Sequence, residues 1–393
     1  MAYFRNRAVN LLNLHYGIHA AALSGGGAFY FVYFLKNGFS PATVLVFVAA
    51  VLLGRFLMRP FILPAGVRWG VRRLLIVGTL VGAIQYPLLA EVVGVGPLLY
   101  ALCILAAIGD TIYWTSYHAY FAALGDQEHR GHQLGAREAL TTMVGIISPL
   151  ATGLILVAFG PRWAFGLTAV VQILAAVPML GTPDVSVRRE AAGVLKTARP
   201  AMLLFLADGW IQTGYLIVWQ MGLFLSLGEN YVSYGGALAM AALVGAAGGM
   251  VLGRSLDSGH GLKAVWVAMG LLMFVIAMRA ASLGHPSWAV AANALGALVN
   301  ALYMPTFMTA VYTPSKQSPC PLRFQMATEG SWDAGGASAA LVMALLISRG
   351  VSLSAVILIS LLGAVGSLII LRRYYAGATP ADAAAAGDGE RSR

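Results

Sequence analysis

Apolar residues run along this chain in long continuous blocks, separated by short polar breaks, rather than in a two-residue alternation. A block of about 18 or more apolar residues is long enough for a helix to cross a bilayer. Twelve such blocks occur, at about 9–35, 42–62, 74–93, 97–123, 137–160, 163–180, 200–227, 231–253, 263–283, 286–311, 328–349 and 351–371. The short alternating segments of a membrane β-barrel are absent. The pattern predicts an all-α integral membrane protein with twelve transmembrane helices. Pro87, Pro149 and Pro305 fall inside blocks, where bundled membrane helices tolerate them. The first block follows Arg5 and Arg7, as in a secretory signal, but continues to Leu35, too long for a cleaved segment. It is read as the first span.

The breaks set the organisation. The longest, Gly181 to Arg199, lies near the midpoint and divides the spans six and six. The expected layout is a six-helix bundle over 1–180, a connector over 181–199, a second, pseudo-symmetric six-helix bundle over 200–373, and a polar, disordered tail over 374–393. With the first residue on the cytoplasmic side, 21 of the 25 Lys and Arg residues fall on that side, Arg55, Arg59, Arg68, Arg72 and Arg73 among them. Lys36, Arg162, Arg279 and Arg349 fall on the other. By the positive-inside rule both termini and the connector are expected in the cytoplasm, in a multi-pass protein of the cell inner membrane.

Composition agrees with the bilayer reading. Hydrophobic residues make up 59% and charged residues 10%, against about 25% charged in soluble domains. Mean hydropathy is +0.78. The net charge of +10 sits in short loops between spans, which argues against a nucleic-acid partner. Cys103 and Cys320 read as unpaired, and no Cys/His spacing suits a metal. No Gly-rich loop followed by Lys-Ser or Lys-Thr is present, so no nucleotide or other cofactor is expected. An enzyme would want a nucleophile–base or metal cluster at one membrane face, and none is found.

The halves echo each other. "HRGHQLGAREALTTMVG" opens the fifth span and "PLRFQMATEGSWDAGGA" the eleventh, each with an Arg ahead of a Glu, Glu138 and Glu329. Repeated halves suggest a transporter with its site between them, near the midplane. The loop "GRSLDSGHGLK" resembles the Gly-x-x-x-Asp signature of the major facilitator superfamily, with Gly253 and Asp257 in the matching places. Its first-half counterpart, "LPAGVRWGVRRLL", keeps Arg68, Gly70, Arg72 and Arg73 but has Val67 where that family has Asp. "SPLATG" (148–153) partly resembles the Gly-Pro-x-x-Gly-Gly motif of the family's proton-coupled exporters, keeping Pro149 and Gly153. The resemblance implies that spans 1, 4, 7 and 10 line a central cavity.

Those spans are also the polar ones. Asp110 lies midway along the fourth block, in "AAIGDTIYWTSYHAY", where an ionised carboxylate costs about 2.5–3.5 kcal/mol on insertion scales. It is the first candidate for proton coupling, with Asp208 and the pair His15 and His19. Trp114, Tyr117, Gln212, Tyr215, Trp219, Asn293, Asn300 and Tyr303 are candidates for the substrate cavity, and the rings among them suit a cationic group. Arg68, Arg72, Glu138, Asp257, Glu329 and Asp333 are candidates for an ion-pair gate on the cytoplasmic side. The expected function is secondary active transport of a small organic solute, driven by protons and directed outward, by a monomer embedded in lipid. Proton-coupled import of a small metabolite and lipid flipping are the alternatives.

Overall fold

Helices account for every regular element in a computed structural model that describes residues 6–124, 130–185, 187, 193–256 and 261–377. Twelve helical segments among them are long and apolar enough to span a membrane. The first span is α1 (Arg7–Ser24) and α2 (Tyr30–Lys36), joined by a tight 3-10 turn at Gly26–Phe29. Asn6 caps α1, its side-chain oxygen accepting the Val9 N–H at 3.1 Å. The turn falls on consecutive glycines because the Thr168 side chain stands where a Cβ on Gly26 would be. Then come α3 (Pro41–Trp69), α4 (Val71–Ala90), α5 (Pro97–Leu124), α6 (Arg130–Ala158) and α7 (Pro161–Leu174), the last extended by a 3-10 turn at Val177–Gly181.

The second half begins with α8 (Val194–Gln212), which passes through a π-helical stretch, Thr213–Val218, into α9 (Trp219–Ser226). It continues with α10 (Tyr231–Leu256), α11 (Gly261–Ser282), α12 (Pro286–Gln317), α13 (Pro321–Ser348), α14 (Leu353–Leu358) and α15 (Ser360–Gly377). Two of the expected domain boundaries move. Helix α8 starts six residues before position 200, because Lys196 and Arg199 are exposed and keep their charges outside the packed core. Residues 374–377 belong to α15 rather than to a tail; the rest of the tail lies outside the described residues.

Gly70 is the hinge between α3 and α4. Its φ of +80° and ψ of 160° belong to glycine. The Asp184 carboxylate, arriving from the connector, occupies the space a Cβ would need and accepts the Arg72 backbone N–H at 3.2 Å. Gly70→Ala should therefore cost about 1–3 kcal/mol, read as a lowered thermal unfolding midpoint in detergent. An unchanged midpoint would show that the loop relaxes without strain.

The halves meet along two seams. Helix α3 packs on α13, and α6 packs on α10. At the end of the bundle away from the connector, the Tyr234 hydroxyl donates to the Ala28 carbonyl at 3.2 Å. Lys36 lies 3.8 Å from Glu229 there. Gly153 and Gly235 let the α6 and α10 backbones touch: a Cβ on Gly153 would meet the Tyr231 carbonyl, and one on Gly235 the Pro149 carbonyl. That end is closed.

Candidate functional site

Arg55 and Arg59 stand four residues apart on one face of α3, well inside an apolar helix of 29 residues. Glu329 and Asp333 stand four apart on α13. The two faces meet, and the four side chains form a buried ladder between the halves. Arg59 Nε donates to Asp333 Oδ2 at 2.8 Å, and Arg55 Nε lies 2.9 Å from Asp333 Oδ1. Glu329 Oε2 is 3.6 Å from Arg55 Nη2 and 3.5 Å from Arg59 Nη2. Arg59 Nη1 donates to Thr115 Oγ1 at 3.1 Å, and His118 Nε2 lies 3.6 Å from Glu329 Oε1. Arg55, Arg59, Glu329 and Asp333 are all buried, Asp333 completely. Taking a charge out of water costs several kcal/mol, and here each buried charge is offset by an opposite one.

Asp110 joins this ladder at its edge. Its Oδ2 is 3.8 Å from Arg55 Nη1, the longest of these contacts, and its side chain is 34% exposed. Two guanidiniums thus face three carboxylates, and Asp110 is the most loosely held and the most accessible of the three.

Asp208 lies on the other side of Trp332. Its carboxylate accepts from the Tyr303 hydroxyl at 2.7 Å, Trp332 Nε1 at 2.9 Å and Gln212 Nε2 at 3.2 Å. The Trp332 ring face lies 5.6 Å from Arg55 Cζ, so one indole touches both acidic centres. The donors to Asp208 are neutral and come from α8, α12 and α13. Asp208→Asn would turn an amide N–H toward one of them, leaving a buried donor unmatched. The expected cost is about 1–3 kcal/mol of stability, with coupled transport retained. Loss of coupling in a stable protein would move Asp208 into the proton path.

The aromatic candidates of the seventh span enclose a cation that belongs to the chain itself. Arg279, counted above among residues outside the membrane, is buried, with Cζ 3.9 Å from the Tyr215 ring centre and 4.9 Å from that of Trp219. It donates to the Tyr215 carbonyl, within the π-helical stretch. Tyr215 OH donates to the Gly296 carbonyl at 2.8 Å. Trp219 Nε1 donates to Asn293 Oδ1 at 3.0 Å, and Asn293 Nδ2 to the Ala237 carbonyl at 3.1 Å. Tyr215, Trp219 and Asn293 therefore pack the second half together, whereas Asn300 is exposed.

The histidine pair is buried inside the first half. His15 Nδ1 lies 2.7 Å from the Ala175 carbonyl, so it carries the hydrogen, and Nε2 faces the Tyr113 hydroxyl at 3.3 Å. His19 Nδ1 lies 2.9 Å from Gln172 Oε1, and its ring stacks on Tyr113 at 3.9 Å. Tyr117 stacks on Tyr16 at 4.7 Å, and the half-buried Trp114 stands edge-on to His19 at 5.7 Å.

Of the gate candidates, Glu329 and Asp333 do join the halves, but by pairing with Arg55 and Arg59, which sit inside α3 rather than in a loop. Arg72 binds the connector rather than the second half: its Nη1 donates to the Thr182 carbonyl at 2.8 Å. Arg68 is exposed. Asp257 and the Glu138 side chain lie outside the described residues. Sequence reasoning missed Arg55, Arg59, Trp332 and Arg279 as site residues. For the first two a signal was present, since a pair of arginines one helical turn apart sits inside the block 42–62. Removing Arg55 and Arg59 from the 21 and Arg279 from the four leaves 19 against three, and the charge asymmetry persists.

Two six-helix halves closing over a buried, interhelical ion ladder define a membrane transporter. The model of the Major Facilitator Superfamily matches residues 16–319, and the chain belongs to that family. Among solved structures, a POT family transporter in complex with a thioalcohol-conjugated peptide shares the fold at a TM-score of 0.70, with 12% identity over 93% of this chain and 95% of that one. A POT family transporter with 5-aminolevulinic acid gives 0.70 and 12%, covering 93% and 96%. The E. coli fucose:proton symporter gives 0.65 and 16%, covering 94% and 99%. At such identities the likeness is one of fold. No match is found among curated protein sequences.

Proposed function

We propose that this protein is a proton-coupled secondary transporter that exports a small organic solute as a monomer, with both termini in the cytoplasm of a cell with an inner membrane. The observation that carries the coupling is the ladder's unequal charge: two guanidiniums, three carboxylates, and Asp110 partly exposed at its edge. A proton on Asp110 balances the cluster, and its release leaves Asp110 free to hold Arg55 more tightly. Protonation thereby alters the grip between α3 and α13, which is the grip between the halves.

Export is supported by the fifth span. Pro149 and Gly153, the residues kept from the exporter-like motif, both lie at the close approach of α6 and α10. Import by proton symport is the second reading, since a fucose:proton symporter has the same fold. Proteoliposomes separate them, with cationic, neutral and anionic solutes offered under each sign of pH gradient. An antiporter concentrates its solute in vesicles with an acidic lumen, and a symporter in vesicles bathed in acid. Failure of every solute to accumulate under either gradient would remove proton coupling.

Orientation has its own test. Glu190→Cys and Ala385→Cys, in a background free of Cys103 and Cys320, should resist a membrane-impermeant thiol reagent on intact cells and react after lysis. Strong labelling of intact cells would invert the topology.

A further inference from the structure

A groove of about 550 Å³ opens on the outer surface where α3, α13 and the start of α8 converge. Its walls are apolar: Phe56, Pro60 and Leu63 from α3, Met202 from α8, Met326 and Ala327 from α13. Phe56 is 46% exposed, and Leu195, beside the mouth, 66%, as befits surface that faces hydrocarbon. Gly330 forms part of the floor, against the Arg59 stem and Phe56. The polar end is basic. Lys196 and Arg323 line the groove at the first turns of α8 and α13, which begin at the same end of the bundle. Among the described residues no acidic side chain lines the groove.

The geometry points to a site for one anionic glycerophospholipid, its phosphate between Lys196 and Arg323 and an acyl chain along Phe56, Leu63 and Met326. The complementarity argues for this occupant. Basic side chains at the ends of membrane helices attract anionic headgroups, and Arg and Lys bind phosphate directly. The apolar wall runs inward from them toward mid-depth, as a lipid chain does. An ordinary soluble anion would have no use for that wall, and an apolar solute none for the cations. The lipid would lie across the α3–α13 seam, directly outside Arg59, and would hold the two helices together from the bilayer side.

Native mass spectrometry of the detergent-purified protein, titrated with phosphatidylglycerol or phosphatidylcholine of matched chains, tests the site. One phosphatidylglycerol per protein should bind about tenfold or more tightly than phosphatidylcholine. Lys196→Ala with Arg323→Ala should abolish the preference, and Ala327→Trp, which fills the wall and keeps the charges, should lower retention of both lipids. Circular dichroism and size exclusion confirm that each variant is folded; an unfolded one is replaced by Lys196→Gln with Arg323→Gln or by Ala327→Phe. Equal retention of the two lipids by the unmodified protein, or unchanged retention in folded variants, would overturn the proposal. Displacement of bound phosphatidylglycerol by millimolar inorganic phosphate would show a free-anion site, and displacement by a transported solute a lateral substrate entrance; either result also overturns it. The outcome is independent of proton coupling.

Discussion

Asp110→Asn is expected to yield a folded, inserted protein that no longer concentrates its solute against a gradient, yet still exchanges solute across the membrane within a few-fold of the unmodified rate. With one proton per cycle, a pH difference of one unit supports about tenfold accumulation, because each unit is worth about 1.36 kcal/mol. The variant should reach none. The reason lies in the ladder: Asp110 is the carboxylate with the longest contact to a guanidinium and the most exposed surface. Asparagine keeps its size and its polar contact with Arg55 but cannot release a proton. Accumulation equal to that of the unmodified protein would remove Asp110 from the coupling path, and a failure to fold would assign it to architecture.

The second large effect falls on Asp333. This residue is wholly buried and touches both arginines. Asp333→Leu leaves two guanidiniums sharing Glu329 and the distant Asp110. Breaking a buried pair by removing one partner costs about 3–5 kcal/mol, a large part of the roughly 5–15 kcal/mol that holds a typical protein folded. The unfolding midpoint should fall steeply and the yield of inserted protein with it. Replacing the four buried members at once, with Arg55→Met, Arg59→Met, Glu329→Met and Asp333→Leu, and leaving the partly exposed Asp110, should recover most of the stability, since well-packed apolar groups commonly match buried ion pairs. It should not recover transport. Stability of the single variant equal to that of the unmodified protein would show that the ladder does not hold the halves.

The fold was legible because a bilayer leaves a chain few choices. Backbone polar groups must pair internally, so twelve apolar blocks become twelve helices. The boundaries slipped where amphipathic side chains carry a helix past its apolar core, at Lys196 and at Tyr374. They slipped again at α3, which runs seven residues beyond its expected end, to Trp69, with Pro60 and Pro64 inside it. Asp110 and Asp208 stood out for the same reason: a carboxylate in such a block must have a partner. Their partners did not stand out. Counting every arginine as a loop charge hid Arg55, Arg59 and Arg279, the three that are buried among the described residues. The match between the α3 pair and the α13 pair becomes visible only once those helices are neighbours, and 274 residues separate Arg59 from Asp333. Tyr215 and Trp219 were readable as rings that suit a cation, but not that α11 supplies it.

That separation along the chain bears on how the protein is made. At synthesis rates of about 5–20 residues per second, Asp333 follows Arg59 by about 14–55 seconds. Two arginines deep in one helix cost about 5–7 kcal/mol to insert if unpartnered, taking about 2.5–3.5 for each. The most apolar 18-residue window of the span Pro41–Trp69 has a mean hydropathy of 2.1, which offsets part of that cost. Asp110, 55 residues after Arg55, is the earliest acidic partner to arrive from the ladder. Until α13 is synthesised, the growing chain carries its second span with an excess of positive charge in hydrocarbon. A ribosome stalled before the eleventh span would leave a nascent protein in which Asp110 alone of the ladder's carboxylates faces two guanidiniums, a net positive charge within the bilayer.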